Sequence, residues 1–242
     1  MALHFVDAGA ATASPGDVLV LTGAEAHHAA SVRRVRVGER VTATDGAGAW
    51  LTGEVEEVER GRVVLRVASR EERGAPRPRV LLAQALAKGD RDELAVQAAT
   101  ELGVDGVVPW QASRSVSRWQ GPKAEKGRGR WQTIVREAAK QALRAWIPEV
   151  SAVETTDRIA ARAGEARVLV LDPWTERRLV DVEPDERDIV LVVGPEGGIA
   201  PEEIETLVAA GAERVRLGAD VLRTSTAGPA AIALLNVALG RW

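Results

Sequence analysis

Cysteine and tyrosine are absent from these 242 residues, phenylalanine and methionine occur once each, and histidine only three times. Without cysteine there is no disulfide, no thiol nucleophile and no thiolate zinc site. His4, His27 and His28 are too few for a histidine-rich metal centre, so no metal is expected. No apolar run approaches the roughly 18 residues that a membrane-crossing helix needs. "MALHFVDAGA" lacks the basic start and long apolar core of a secretory signal. A cytoplasmic protein that makes no use of a membrane is expected. What is present, 45% apolar and 28% charged residues, is the composition of an ordinary globular chain, long enough for one large domain or two small ones.

The charge is unevenly spread. Residues 110–148 hold nine basic residues (Arg114, Arg118, Lys123, Lys126, Arg128, Arg130, Arg136, Lys140 and Arg144) against Glu125 and Glu137. That is +7 locally in a chain of net −3, which leaves −10 elsewhere. "RRVRVGER" groups Arg33, Arg34, Arg36 and Arg40. Net acidity speaks against indiscriminate nucleic-acid binding, while the asymmetry suits a phosphate-rich partner. A chain with 28 arginines to 4 lysines accounts for the clusters equally well.

Texture divides the chain. "SREERGAPRPRV", residues 69–80, is charged and broken by Pro76 and Pro78, as a linker would be. Before it come short β-rich runs separated by "DGAG" and "ERG" turns, the pattern of a small β-barrel, with one helical piece, "AEAHHAASV". After it, strands and helices alternate. "RVLLAQAL", "DGVVPW", "ARVLVLDPW", "DIVLVVGPEGG" and "RVRLG" read as strands, several of them apolar throughout, as in a buried parallel sheet. The helices are "DRDELAVQAATELGV" closed by Gly103, "RWQTIVREAAKQALRAW" ended by Pro148, "PEEIETLVAAG" and "TAGPAAIALLNVALGRW". "GPKAEKGRGR" reads as a mobile loop. The division expected is a small β-barrel over residues 1–72, a linker over 73–79 and an α/β domain over 80–242.

"LVVGPEGGIAPEE" is the most informative stretch: a buried strand runs into three glycines, a proline and a carboxylate, then into a helix start. In open α/β sheets ligands bind beyond the carboxyl ends of strands, where glycine lets backbone come close. The loop has no lysine for a Walker pattern and is not Gly-x-Gly-x-x-Gly, and Glu196, Glu202 and Glu203 would repel phosphate. A neutral or cationic ligand held by backbone groups suits it better, a bare turn being the alternative. "VRLGADVLRTSTAG" follows as a second strand ending in a polar loop, and "RVLVLDPW" precedes as a third.

"LVVGPEGGIAPEE" followed by "LGADVLRTSTA" resembles the 16S ribosomal RNA (uracil-N3)-methyltransferase family of the SPOUT superfamily, and the resemblance covers nearly the whole chain. "HHAASVRRVRVGERVTATDGAG" is similar to the family's N-terminal segment, with Arg33 for leucine and Glu39 for aspartate. "ALAKGDRDELAVQAATELGV" and "EAAKQALRAWIPEV" are similar to its central signatures. Ile199 stands where phenylalanine is usual, and Ser225 where glutamate is common, so no acid at that position serves as base. The resemblance implies an α/β fold: a C-terminal SPOUT-type trefoil-knotted parallel-sheet domain behind a small N-terminal PUA- or OB-like barrel.

It implies S-adenosylmethionine as cofactor, with Gly194, Pro195, Glu196, Gly197 and Gly198 as one wall of its site. Leu217, Gly218, Leu222, Arg223, Thr224 and Ala227 would form the other wall, with Leu171 at the first loop. The implied reaction is methylation of N3 of a specific uridine in 16S rRNA, within the assembled small subunit, by a homodimer. A SPOUT enzyme with another ribosomal or transfer RNA target, or a non-catalytic ribosome-assembly factor that binds RNA, are the rival readings. Arg223 is the candidate catalytic residue, steadying charge on the deprotonated base; a structural role binding loop carbonyls is the competing view. Arg33, Arg34, Arg36, Lys88, Arg114 and Arg144 are candidates for phosphate contacts. Trp119 and Trp131 could stack on bases, but core positions suit them better, and a structural role suits His27 and His28. The nearly uncharged last helix is either core or a subunit face.

Overall fold

The computed structural model describes residues 3–242. The chain forms two compact units, the first comprising the residues through Ala75 together with Ala139–Ile147, the second Pro76–Ala138 and Pro148–Trp242. A single boundary near residue 75 has no place for residues 139–147, which return to the first unit from the middle of the chain.

The first unit is built from β1 (His4–Val6), β2 (Val18–Thr22), α1 (Gly23–His27), β3 (Arg40–Thr44), β4 (Ala49–Glu59) and β5 (Arg62–Glu72). Its sheet runs β1-β3-β4-β5-β2, with β1 parallel to β3 and the other pairs antiparallel. β1 and β2 lie at opposite ends of the sheet, so it is a half-barrel that stops short of closure. Alternation along the strands sends Phe5, Leu21, Leu51 and Val63 into one core. The returning segment completes that core's rim. Lys140 is buried and its Nζ donates to Glu25 at 2.7 Å. Ile147 donates its amide to Gly46, and Trp146 its indole N–H to the Arg73 carbonyl at 2.7 Å. His28 meets Phe5 edge-on, and His4 stacks on Trp50. Both are structural.

The second unit contains β6 (Val80–Ala85), α2 (Arg91–Glu101), β7 (Gly106–Trp110), α3 (Pro122–Gln141, whose last turn belongs to the first unit), β8 (Glu149–Val150), α4 (Thr156–Ala161), β9 (Arg167–Leu171), β10 (Ile189–Val193), α5 (Pro201–Ala209), β11 (Glu213–Val215) and α6 (Thr224–Ala238). Six parallel strands run in the order β11-β9-β10-β6-β7-β8. β10 sits near the centre with all five residues buried, which is why it reads as an unbroken apolar run. Among the described residues no helix is long and apolar enough to cross a membrane.

Two helix boundaries depart from expectation. α3 begins at Pro122, so most of "GPKAEKGRGR" is helix rather than mobile loop. Its glycines look like breakers, yet Gly127 is a packing requirement: a Cβ there would lie 2.4 Å from the Trp119 ring. α3 also ends at Gln141, well before Pro148. Leu143 takes the left-handed conformation (φ 56°) usually left to glycine, while the amides of Leu143 and Arg144 donate to the carbonyls of Lys140 and Ala139, a Schellman ending. α2 ends in the same way with Gly103. α6 is a core helix on one side: Ala227, Ala231, Ile232 and Leu235 are buried and Asn236 donates to the Leu102 carbonyl at 2.6 Å. Val237 on its other side is 62% exposed.

Candidate functional site

The loops that leave the carboxyl ends of β9, β10 and β11 enclose, with the start of α6, a cavity of about 580 Å³. All twelve positions expected to hold a cofactor line it. Gly194 to Gly198 form one side; Leu217, Gly218, Leu222, Arg223, Thr224 and Ala227 form another; Leu171 lies at the first loop. The cavity is the one expected at strand ends in an open α/β sheet, and its size suits a cofactor.

The glycines are there for close approach. A Cβ on Gly194 would stand 2.6 Å from Ile199 Cγ1, so the isoleucine found where the resemblance expects phenylalanine is a packing residue folded back on its own loop. The Thr224 hydroxyl donates to the Gly194 carbonyl at 2.8 Å and accepts from Gln84 Nε2 at 2.9 Å. One hydroxyl thereby joins β6, the loop after β10 and the start of α6. Gln84 is fully buried, and its only sequence signal is a lone amide inside "VLLAQAL".

Two carboxylates hold the same loop. Glu196 accepts from the Lys88 amide at 3.0 Å and from Arg91 Nη1 at 2.7 Å. Burial alone would raise its pKa, but the Arg91 side chain and nearby amides outweigh it and hold the carboxyl below the ordinary glutamate range. Glu196 is therefore a poor proton acceptor near neutral pH and serves as a cap. Glu203, read from the sequence as a first-turn acid that would repel phosphate, is buried and accepts from Thr156 Oγ1, the Ser113 amide and hydroxyl, and the Ala200 amide at 2.7–3.3 Å. Burial pushes its pKa up, and those four donors bring it below the ordinary value. It thus ties three chain segments to the exit of the glycine loop.

Arg223 is the N-cap residue of α6 and lines the cavity with an exposed side chain. Among the described residues its guanidinium has no hydrogen bond to a loop carbonyl; its own carbonyl accepts from the Thr226 and Ala227 amides. Asp220, missed in the sequence, is an exposed acid of the lining.

The basic positions do not behave as one set. Arg114 is exposed over the glycine loop, donating to the Gly197 carbonyl at 3.2 Å, and lines the cavity. Lys88 has an exposed side chain, its amide committed to Glu196. Arg33, Arg34, Arg36 and Arg144 belong to the first unit; Arg34 and Arg36 are exposed, Arg33 and Arg144 half-buried. Within the basic segment, Lys140 is buried against Glu25, Arg130 pairs with Glu93, and Arg128 donates to the Val150 carbonyl. Trp131 is core, T-packed on Trp119 at 5.0 Å between centroids. A second hollow of about 460 Å³, lined by Trp119, Arg118, Lys123 and Lys126 among others, opens beside α3.

Residues 75–236 match the model of an RNA methyltransferase domain, and residues 21–68 that of an RNA methyltransferase PUA domain. The chain is 45% identical over 233 residues to the ribosomal RNA small subunit methyltransferase E of Mycobacterium bovis, covering 94% of this chain and 89% of that protein. The chain belongs to the ribosomal RNA small subunit methyltransferase E family. It is 32% identical to the Bacillus subtilis member over 86% of this chain and 85% of that one. The crystal structure of the Neisseria gonorrhoeae member bound to S-adenosyl methionine aligns with a TM-score of 0.88 at 29% identity, covering 98% of each chain. A Legionella pneumophila methyltransferase in complex with the same cofactor aligns with a TM-score of 0.85 at 31% identity, covering 98% of this chain and 96% of that one. The α/β methyltransferase fold behind a PUA-like half-barrel is thus common to the family and this chain.

Proposed function

We propose that this chain uses S-adenosylmethionine to methylate N3 of a specific uridine in 16S ribosomal RNA, acting in the cytoplasm on the assembled small subunit. The observation that carries the reading is the gathering of the two loops "GPEGG" and "LRTSTA" around one cavity, in a chain whose family relatives are named for small-subunit RNA methylation. The residues present fit the cofactor: glycine backbone and apolar side chains for an adenine and a methionine-derived chain. When bound, the cofactor supplies an electrophilic methyl group on a sulfonium.

What the chain itself does is hold, orient and neutralise. Gly194 to Gly198 and Leu217 to Leu222 present backbone groups to the ligand, and Thr224, Glu196 and Glu203 keep those loops in register. Most of the acceleration in such an in-line transfer comes from position and from exclusion of water. Uracil N3 must lose its proton, which places negative charge on O2 and O4. Arg223, without an ion-pair partner among the described residues and seated on the positive end of α6, stabilises that charge. Arg114, Lys88, Arg33, Arg34, Arg36 and Arg144 are the phosphate contacts in this reading, and the trefoil threading of the SPOUT fold keeps the loops stiff. A homodimer belongs to the same reading, supported by apolar side chains left in solvent, among them Trp174 at 83% and Val221 at 68% exposure.

The test is transfer of labelled methyl to small subunits that lack their methylations, with the product nucleoside identified. Label in N3-methyluridine is the expected result. Label in another nucleoside would overturn the substrate, and no label with no cofactor binding would leave an assembly factor. In the same assay Arg223→Ala lowers kcat about 10²–10³-fold with cofactor affinity retained; unchanged turnover would remove its catalytic role.

A further inference from the structure

Arg214 lies in β11 and Arg216 directly follows it, bridged in extended backbone to Arg178, so their side chains, two positions apart, leave on the same side. They are not equally provided for. Arg214 has a dedicated acid: its Nε donates to Asp172 Oδ2 at 2.6 Å, and Asp172 is almost completely buried. Arg216 has none. It lines the 580 Å³ cavity, its Nε is shut away from solvent without a hydrogen-bond partner, and its side chain makes no ion pair among the described residues.

The residue is nevertheless firmly placed. Its amide donates to the Arg177 carbonyl at 2.9 Å, and its carbonyl accepts from the Leu179 amide at 2.8 Å. The acids of the cavity lining do not answer it: Asp172 is taken by Arg214 and Glu196 by Arg91, while Asp220 forms no ion pair with it. A buried guanidinium Nε without an acceptor is costly, and an anion in the cavity is what the side chain lacks.

We propose that Arg216 binds the α-carboxylate of the cofactor's amino-acid tail. The inference rests on the reading of this cavity as the S-adenosylmethionine site. That ligand carries a sulfonium, an ammonium and one carboxylate, so only the carboxylate complements a guanidinium. The planar fork of arginine matches a carboxylate through two parallel hydrogen bonds, which a lysine could not reproduce. Because the demethylated product S-adenosylhomocysteine keeps the same carboxylate, Arg216 holds product as well as substrate. It sets affinity for the tail without touching the methyl group.

The test compares two ligands that differ by the carboxylate alone, S-adenosylmethionine and its decarboxylated analogue, by calorimetric titration of the wild type and of Arg216→Gln. In the wild type the decarboxylated ligand binds at least about tenfold more weakly. In Arg216→Gln, affinity for S-adenosylmethionine falls by a similar factor, while affinity for the decarboxylated ligand stays level and shows the variant folded. Arg216→Lys gives an intermediate loss. Equal affinity of the wild type for both ligands overturns the proposal, and needs no variant to be read. An equal loss for both ligands in Arg216→Gln, alongside an unaltered circular-dichroism spectrum, overturns it too. A wild type that binds neither ligand fails at the earlier step, the identity of the cavity.

Discussion

Two regions invited a functional reading, and they fared differently. Around the glycine loop, twelve positions drawn from three separated segments line a single cavity. In the basic segment of residues 110–148, nine cations that read as one surface are dispersed: one is buried in an ion pair, one is paired at the surface with Glu93, three donate to backbone carbonyls, and others remain exposed. A glycine at a strand end carries position, because its place in the sheet fixes where the next residues go. Net charge carries none, since it does not say whether each cation already has its anion.

The largest effect expected is on the positional side. Gly194→Val drives its side chain into Ile199 and lowers S-adenosylmethionine affinity more than about 100-fold, from the overpacking and lost backbone approach; calorimetric titration checks it, and affinity kept within threefold would break the comparison. Next comes the cation that the charge count misplaces. Lys140→Met removes the ammonium that faces the half-buried Glu25 carboxylate and costs about 3–5 kcal/mol of stability, measured by urea unfolding, whereas a surface RNA contact would cost almost none.

His4 gives the third test. Burial, against the opposing influence of the Arg144 backbone and aided by the Lys140 and Arg73 cations, pushes its pKa down from 6.5 to about 4. The folded state therefore holds fewer protons than the unfolded chain between those values. Stability is unaffected by this group above about pH 6.5, falls as pH drops towards 4 and levels below it, a total of roughly 3 kcal/mol. Urea midpoints across pH 4–7 read the slope, which His4→Gln flattens; an unchanged slope in that variant would assign it to another group. The smallest effect sharpens the charge side. Lys123→Ala with Lys126→Ala weakens binding of small-subunit RNA a few-fold and reduces the slope of log affinity against log salt by about one to two. An unaltered slope would place the RNA elsewhere.

Five of the six strands of the parallel sheet and the start of α5 were legible because burial on both faces and a Pro-Glu-Glu start leave local signatures, whereas the two-residue β8 and the short α4 leave none. α3 was not, since Gly127 and Gly129 resemble breakers until the Trp119 ring is seen lying on Gly127. Nor was its end, because Leu143 adopts a conformation that its side chain gives no reason to expect. At the site, the loops could be read but their ties could not. Glu203 shows in sequence as a favourable first-turn acid, and its four donors from three segments exist only once those segments meet. Gln84 and Arg216 were silent for the same reason: whether a polar side chain has a partner is a fact of three dimensions.

The return of residues 139–147 to the first unit also sets an order of events during synthesis. The half-barrel's sheet is complete in sequence at Glu72, but its Glu25 meets Lys140 only 68 residues later, and its Gly46 meets Ile147 only 75 residues later. At roughly 5–20 residues per second, the longer wait is about 4–15 s. The first part of the chain to be made is thus among the later parts to close, and β6, α2 and β7 of its neighbour emerge while it is still unfinished.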